Sequence, residues 1–77
     1  MSKGFSTEFV ALVAAQDQRL AGVRLAKACF ARKVPAAKVA AMLKVSRMTV
    51  YMWMRGSTIP APRHEQAIER FLATLKT

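Results

Sequence analysis

The sequence predicts an all-α protein, a compact bundle of four to five short helices, and three observations support this. Proline occurs only at positions 35, 60 and 62 and glycine only at 4, 22 and 56, so helix breakers are few and clustered. Between them apolar residues recur at helical spacings of three, four and seven. With a single cysteine, Cys29, and a single histidine, His64, among 77 residues, neither an internal disulfide nor a Cys/His metal cluster is expected. The fold must then rest on an apolar core, and a chain this short buries only about 60% of the surface its unfolded form exposes.

Ser6 is the expected N-cap of a first helix, with Phe5 and Val10 placed as a hydrophobic staple across it. Phe9, Leu12, Val13, Leu20, Val23 and Phe30 continue an amphipathic pattern to about Lys33. The polar run QDQR interrupts that stripe and Gly22 disfavours helix, so a break near Gln16 to Gln18 is expected, one long helix being the alternative. Pro35 suits the first turn of the next helix, in which Val39, Met42 and Leu43 fall at core spacing. Lys44, Val45 and Ser46 form a connector. Ser46 caps a helix from Arg47 to about Met54 that stops before Gly56. GSTIPAP reads as a loop. Pro62 then starts a last helix with Ala67, Ile68, Phe71, Leu72 and Leu75 inside and Arg63, Glu65, Glu69 and Arg70 facing water. Residues 1–5 are expected to be flexible, and 6–77 to form one domain.

Thirteen Lys and Arg against four Asp and Glu give a net charge of +9, which attracts polyanions. A basic surface also keeps a small protein soluble, so the distribution matters more than the sum. Residues 1–34 carry six bases and two acids, 35–56 four bases and no acid, and 57–77 three bases and two acids. The middle segment is therefore uncompensated. No apolar run approaches the ~18 residues of a membrane span, and MSKGFSTEF lacks the apolar stretch of a signal peptide, so a soluble cytoplasmic protein with no membrane partner is expected.

Two short helices joined by three or four residues form a helix-turn-helix, here spanning 36–54. Such a unit needs a small residue where its helices approach, supplied by Ala40, and inward-facing apolar residues, supplied by Val45, Val50 and Trp53.

The segment VAAMLKVSRMTVYMWMRG resembles the lambda-repressor and Cro-like (XRE-type) helix-turn-helix family through Val39, Ala40, Leu43, Val45, Ser46, Arg47, Thr49, Val50, Trp53 and Gly56. The resemblance covers about Leu25 to Leu75 and leaves residues 6–18 outside. Lys44 stands where the family's turn usually has glycine, so this connector is either strained or differently turned; Lys33 likewise occupies a position often held by glycine.

The resemblance implies double-stranded DNA as the partner and a phage or bacterial regulator acting in the bacterial cytoplasm or nucleoid, including that of an infected cell. It implies that the N-terminal part of the second helix points at base edges in the major groove. With Val50 and Trp53 inward, the expected base-reading residues are Arg47, Met48, Tyr51 and Met52. Arg47 suits guanine, Met48 and Met52 suit thymine methyls, and Tyr51 and Thr49 can reach phosphate or a base edge, Tyr51 being equally placed as a rim aromatic. Lys38 and Arg55 at helix ends, together with Ser46 and Thr49, are expected at phosphates; the family's backbone-contacting loop adds Lys44, Ser57 and Thr58. Met42 and Met54 are assigned to packing.

Repression by promoter occlusion is the expected mechanism. Such motifs usually bind as homodimers, here through Phe9, Leu12 and Val13 or through Phe71 and Leu75. The competing expectation is a protein-interaction module in which Met48, Tyr51, Met52 and Met54 grip a partner such as RNA polymerase or a nucleoid protein. An enzyme is not expected and no cofactor is implied: Glu8, Asp17, Glu65 and Glu69 lack a neighbouring histidine, cysteine or glycine-rich loop. Cys29, among Ala28, Phe30 and Ala31, reads as a buried structural thiol, His64 as an exposed helix-start residue.

Overall fold

The computed structural model describes residues 5–75, in which five helices and no strand occur: α1 (Thr7–Ala14), α2 (Ala21–Arg32), α3 (Ala36–Leu43), α4 (Arg47–Met54) and α5 (Pro62–Leu75). This is the expected small all-α bundle. Residues 1–4, most of the segment expected to be flexible, lie outside the described residues. Phe5 does not fit that expectation, because its ring packs on Phe9, Phe30 and Tyr51. The staple with Val10 gives way to this aromatic cluster, and Val10 stays exposed.

α1 starts as expected, with Ser6 accepting a hydrogen bond from the Phe9 amide at 3.1 Å. The break after it comes from side chains that take over the end of the helix. Gln16 donates to the Leu12 carbonyl at 3.2 Å and Gln18 to the Ala14 carbonyl at 3.3 Å, satisfying acceptors that a continuing helix would have used. Asp17 then accepts from the Arg19 amide at 2.9 Å, an Asx turn that redirects the chain.

Gly22 lies inside α2 rather than ending a helix. A Cβ there would stand 2.1 Å from the Trp53 carbonyl oxygen, so α2 and α4 cross in backbone contact at this position. α2 ends at Lys33 and α3 at Lys44, both in the left-handed conformation, with φ of 57° and 59°. At each, the following amide reaches back to close the helix: Val34 to the Cys29 carbonyl and Val45 to the Ala40 carbonyl, both at 3.0 Å. Of the two possibilities for the Lys44 connector, the structure takes the strained one. Pro35 sits at the N-cap of α3, one residue earlier than expected, with ψ of 152°. Pro62 does open α5.

α2 packs against α1, α4 and α5, while α3 packs on α4. Leu25, Val39, Val50, Trp53, Met54 and Ile68 anchor the core, and no polar or charged residue among those described is buried. Met42 and Leu12 depart from expectation, being 45% and 40% exposed. The face that α3 buries is centred on Ala36, Val39 and Ala40, which leaves Met42 over its edge. α1 buries only Val13, so Leu12 lies outside the seam. His64 is half-buried rather than exposed, its ring 5.2 Å from that of Trp53.

Candidate nucleic-acid interface

α3 and α4 are eight-residue helices joined by Lys44, Val45 and Ser46. The Ser46 hydroxyl accepts from the Thr49 amide at 3.1 Å and lies 3.0 Å from the Thr49 hydroxyl. One hydrogen of this hydroxyl pair is used inside it, which leaves the other to donate outward.

Val50, Trp53 and Met54 turn α4 inward. Its opposite side divides into two rows at helical spacing. Arg47, Tyr51 and Arg55 form one; Met48 and Met52 form the other. Arg47 and Arg55 are exposed and Met48 is 70% exposed, but Met52 is half-buried. Tyr51 is half-buried. Its ring stands edge-on to Phe9 at 5.3 Å and to Phe5 at 6.1 Å, held by residues outside the two-helix unit.

Lys38, Lys44, Ser57 and Thr58 are all exposed. The Ser57 and Thr58 amides both point back to the Met52 carbonyl, at 3.0 and 3.4 Å, so contacts made by these residues would use their hydroxyls. Gly56 makes this reversal possible with a φ of +77°.

The charges separate by what they already hold. Asp17 takes a two-pronged hydrogen bond from Arg19 and its carboxyl is held below the ordinary range, first by that side-chain bond and then by the Arg19 amide. Arg24 forks onto Glu69 of α5 through both terminal nitrogens, Lys27 donates to Gln18 at 2.7 Å, and Arg32 donates to the Leu75 carbonyl. Lys38, Lys44, Arg47 and Arg55 form no ion pair among the described residues. Helix dipoles divide these four further. Lys44 and Arg55 follow the C-terminal ends of α3 and α4, where a cation is favoured; Lys38 and Arg47 sit in the first turns, where it is disfavoured by about 0.3–1 kcal/mol. The helix dipole favours the first pair and disfavours the second, although at Lys44 the left-handed backbone works against the residue. Lys33, at the end of α2, is a further exposed cation that the sequence reading did not place in the interface.

No group of three metal-ligating side chains exists among the described residues, and Cys29 is buried with its thiol pushed up to about 11 by desolvation. Of the dimer surfaces expected from the sequence, Val13 is core and Phe9, Phe71 and Leu75 are half-buried, leaving Val10 and Leu12 as the exposed apolar part of α1. No helix among the described residues is long and apolar enough to cross a membrane.

The fold defines a class, the small all-α bundle with a closely joined helix pair. No family model matches the chain, and no curated protein or solved structure matches it either.

Proposed function

We propose that the chain is a sequence-specific double-stranded DNA-binding regulator that represses by covering a promoter, with α3 and α4 as its helix-turn-helix and Arg47 and Met48 leading the reading face. The observation that carries this is the placing of Lys38 and Arg47 in the first turns of α3 and α4, where the helix dipole disfavours a cation, within a stretch from 35 to 56 that has no acid. A polyanion brought to those helix starts would offset the unfavourable dipole contact as well as the net charge. Arg47 would read guanine, Met48 thymine methyls, and Lys38, Lys44 and Arg55 with the hydroxyls of Ser46, Thr49, Ser57 and Thr58 would hold phosphates.

The size suits a homodimer. The Cα trace measures 31 × 24 × 23 Å, so two copies on half-sites about 34 Å apart would approach each other if the long axis lay along the DNA.

Selection of duplexes from a randomised pool at about 150 mM salt tests the reading, since unspecific phosphate attraction is partly suppressed there. An enriched inverted repeat supports a dimeric regulator. Retention without enrichment replaces it with unspecific DNA coating.

A second reading is favoured by one observation, the exposure of Met48 at 70% and Ile59 at 65%. Met48 is an adaptable apolar side chain of the sort that docks protein partners, whereas Met54, also expected to grip one, is fully buried. Under this reading no duplex is retained, and partner binding changes little with salt.

A further inference from the structure

We infer that Tyr51 anchors a DNA phosphate through its hydroxyl and that Phe5 and Phe9 are its positioning residues, which makes the N-terminal helix part of the interface; this rests on the DNA-binding reading. The two phenylalanines come from a segment remote in sequence from α3 and α4. Their rings lie 5.9 Å apart and nearly parallel, inclined by 15°, and both meet the Tyr51 ring edge-on, at 74° and 89°. Phe30 of α2 closes the cluster from the other side, 4.8 Å from Phe5 and 6.2 Å from Phe9. The phenol ring is thus fixed on one flank before any ligand arrives, and less side-chain freedom is lost on binding.

What the cluster leaves open is the polar end. The Tyr51 hydroxyl has no hydrogen-bond partner among the described residues, and it is not a buried unsatisfied group, so solvent reaches it. A tyrosine needed only for packing would be served by phenylalanine, as at positions 5, 9 and 30. Tyr51 also lies one turn from Arg47 and one turn from Arg55, in a row of donors that borders α1. The neighbouring row carries Met48, at 70% the most exposed of the large apolar residues, which on the DNA-binding reading lies over the groove together with Arg47 at the helix start. Beyond Arg47 in the row against α1, Tyr51 and Arg55 then run beside a strand backbone, where a neutral hydroxyl donor fits a phosphate oxygen.

A double-mutant cycle on the intact chain tests this with Tyr51→Phe and Phe9→Leu, using the duplex recovered by selection and a scrambled duplex of the same length. Tyr51→Phe is expected to bind about tenfold more weakly, the loss of one hydrogen bond to a charged acceptor. The factor should be the same on both duplexes, the slope of affinity against salt unchanged because no cation is removed, and the melting temperature unaltered. Phe9→Leu should weaken binding several-fold in the wild-type background and not at all in Tyr51→Phe. Phe5→Leu, which alters the other ring set edge-on to Tyr51, serves the same purpose should Phe9→Leu not fold. Unchanged affinity in Tyr51→Phe overturns the anchor, and equal loss from the phenylalanine change in both backgrounds overturns the positioning. Wild-type protein that binds neither duplex overturns the DNA-binding reading along with this one.

Discussion

Three single residues carry consequences out of proportion to their size. At Gly22, helix propensity alone favours alanine by about 1 kcal/mol. The 2.1 Å approach to the Trp53 carbonyl reverses that sign, because backbone cannot rotate away as a side chain can. Gly22→Ala is expected to lower unfolding free energy by about 3 kcal/mol or more in urea denaturation, the upper range for overpacking. Lys44 points the other way. Its left-handed backbone suits glycine, so Lys44→Gly should raise stability by about 1 kcal/mol while weakening DNA retention through the lost charge. At Cys29 burial raises the thiol from 9.0 to about 11, so the unfolded chain releases this proton first. The contribution is fully present below pH 9 and drains as pH rises towards 11. Thermal melts across that window should therefore fall more steeply for wild type than for Cys29→Ala. Neither Gly22 nor Lys44 could be read correctly in advance, since the first depends on a carbonyl 31 positions away and the second on which of two turn conformations the packing selects.

Among the elements, α4 separates folding from function most sharply. Arg47 occupies its first position, where the helix dipole disfavours a cation. Arg47→Glu should leave the melting temperature equal or slightly higher and yet abolish enrichment from the duplex pool, and a variant that melts lower would show that Arg47 supports the fold. Ser46→Ala is the complementary case, expected to cost about 1 kcal/mol through the lost cap on the Thr49 amide. The caps at Ser6 and Ser46, the stop at Gly56 and the inward Val50 and Trp53 were all legible in the sequence, because capping and helical spacing are local. The staple from Phe5 to Val10 and the packing of Met42 were misread for one common reason. Each depends on which neighbouring helix covers a given side, and helical spacing identifies an apolar stripe without saying where its edges fall.

For the whole molecule, charge patterning is the property that experiment reads most directly. If Arg55 meets a phosphate, Arg55→Ala should reduce the slope of log affinity against log salt by about 0.9 and weaken selected and scrambled duplexes alike. Lys27→Ala, whose ammonium is held by Gln18, should leave that slope unchanged. The all-α class followed from the spacing of breakers and apolar residues, but the arrangement of α1, α4 and α5 around α2 did not, because the pairings that set it are distant in sequence: Gly22 against Trp53, Arg24 onto Glu69, Arg32 onto Leu75. That arrangement has a kinetic signature. Since α1, α4 and α5 all rest on α2, no partial opening frees the middle of this helix while the others stay packed. In heavy water the amides of Leu25, Ala26 and Cys29 should be the last to take up deuterium, at the rate of global unfolding, with those of α1 well ahead of them.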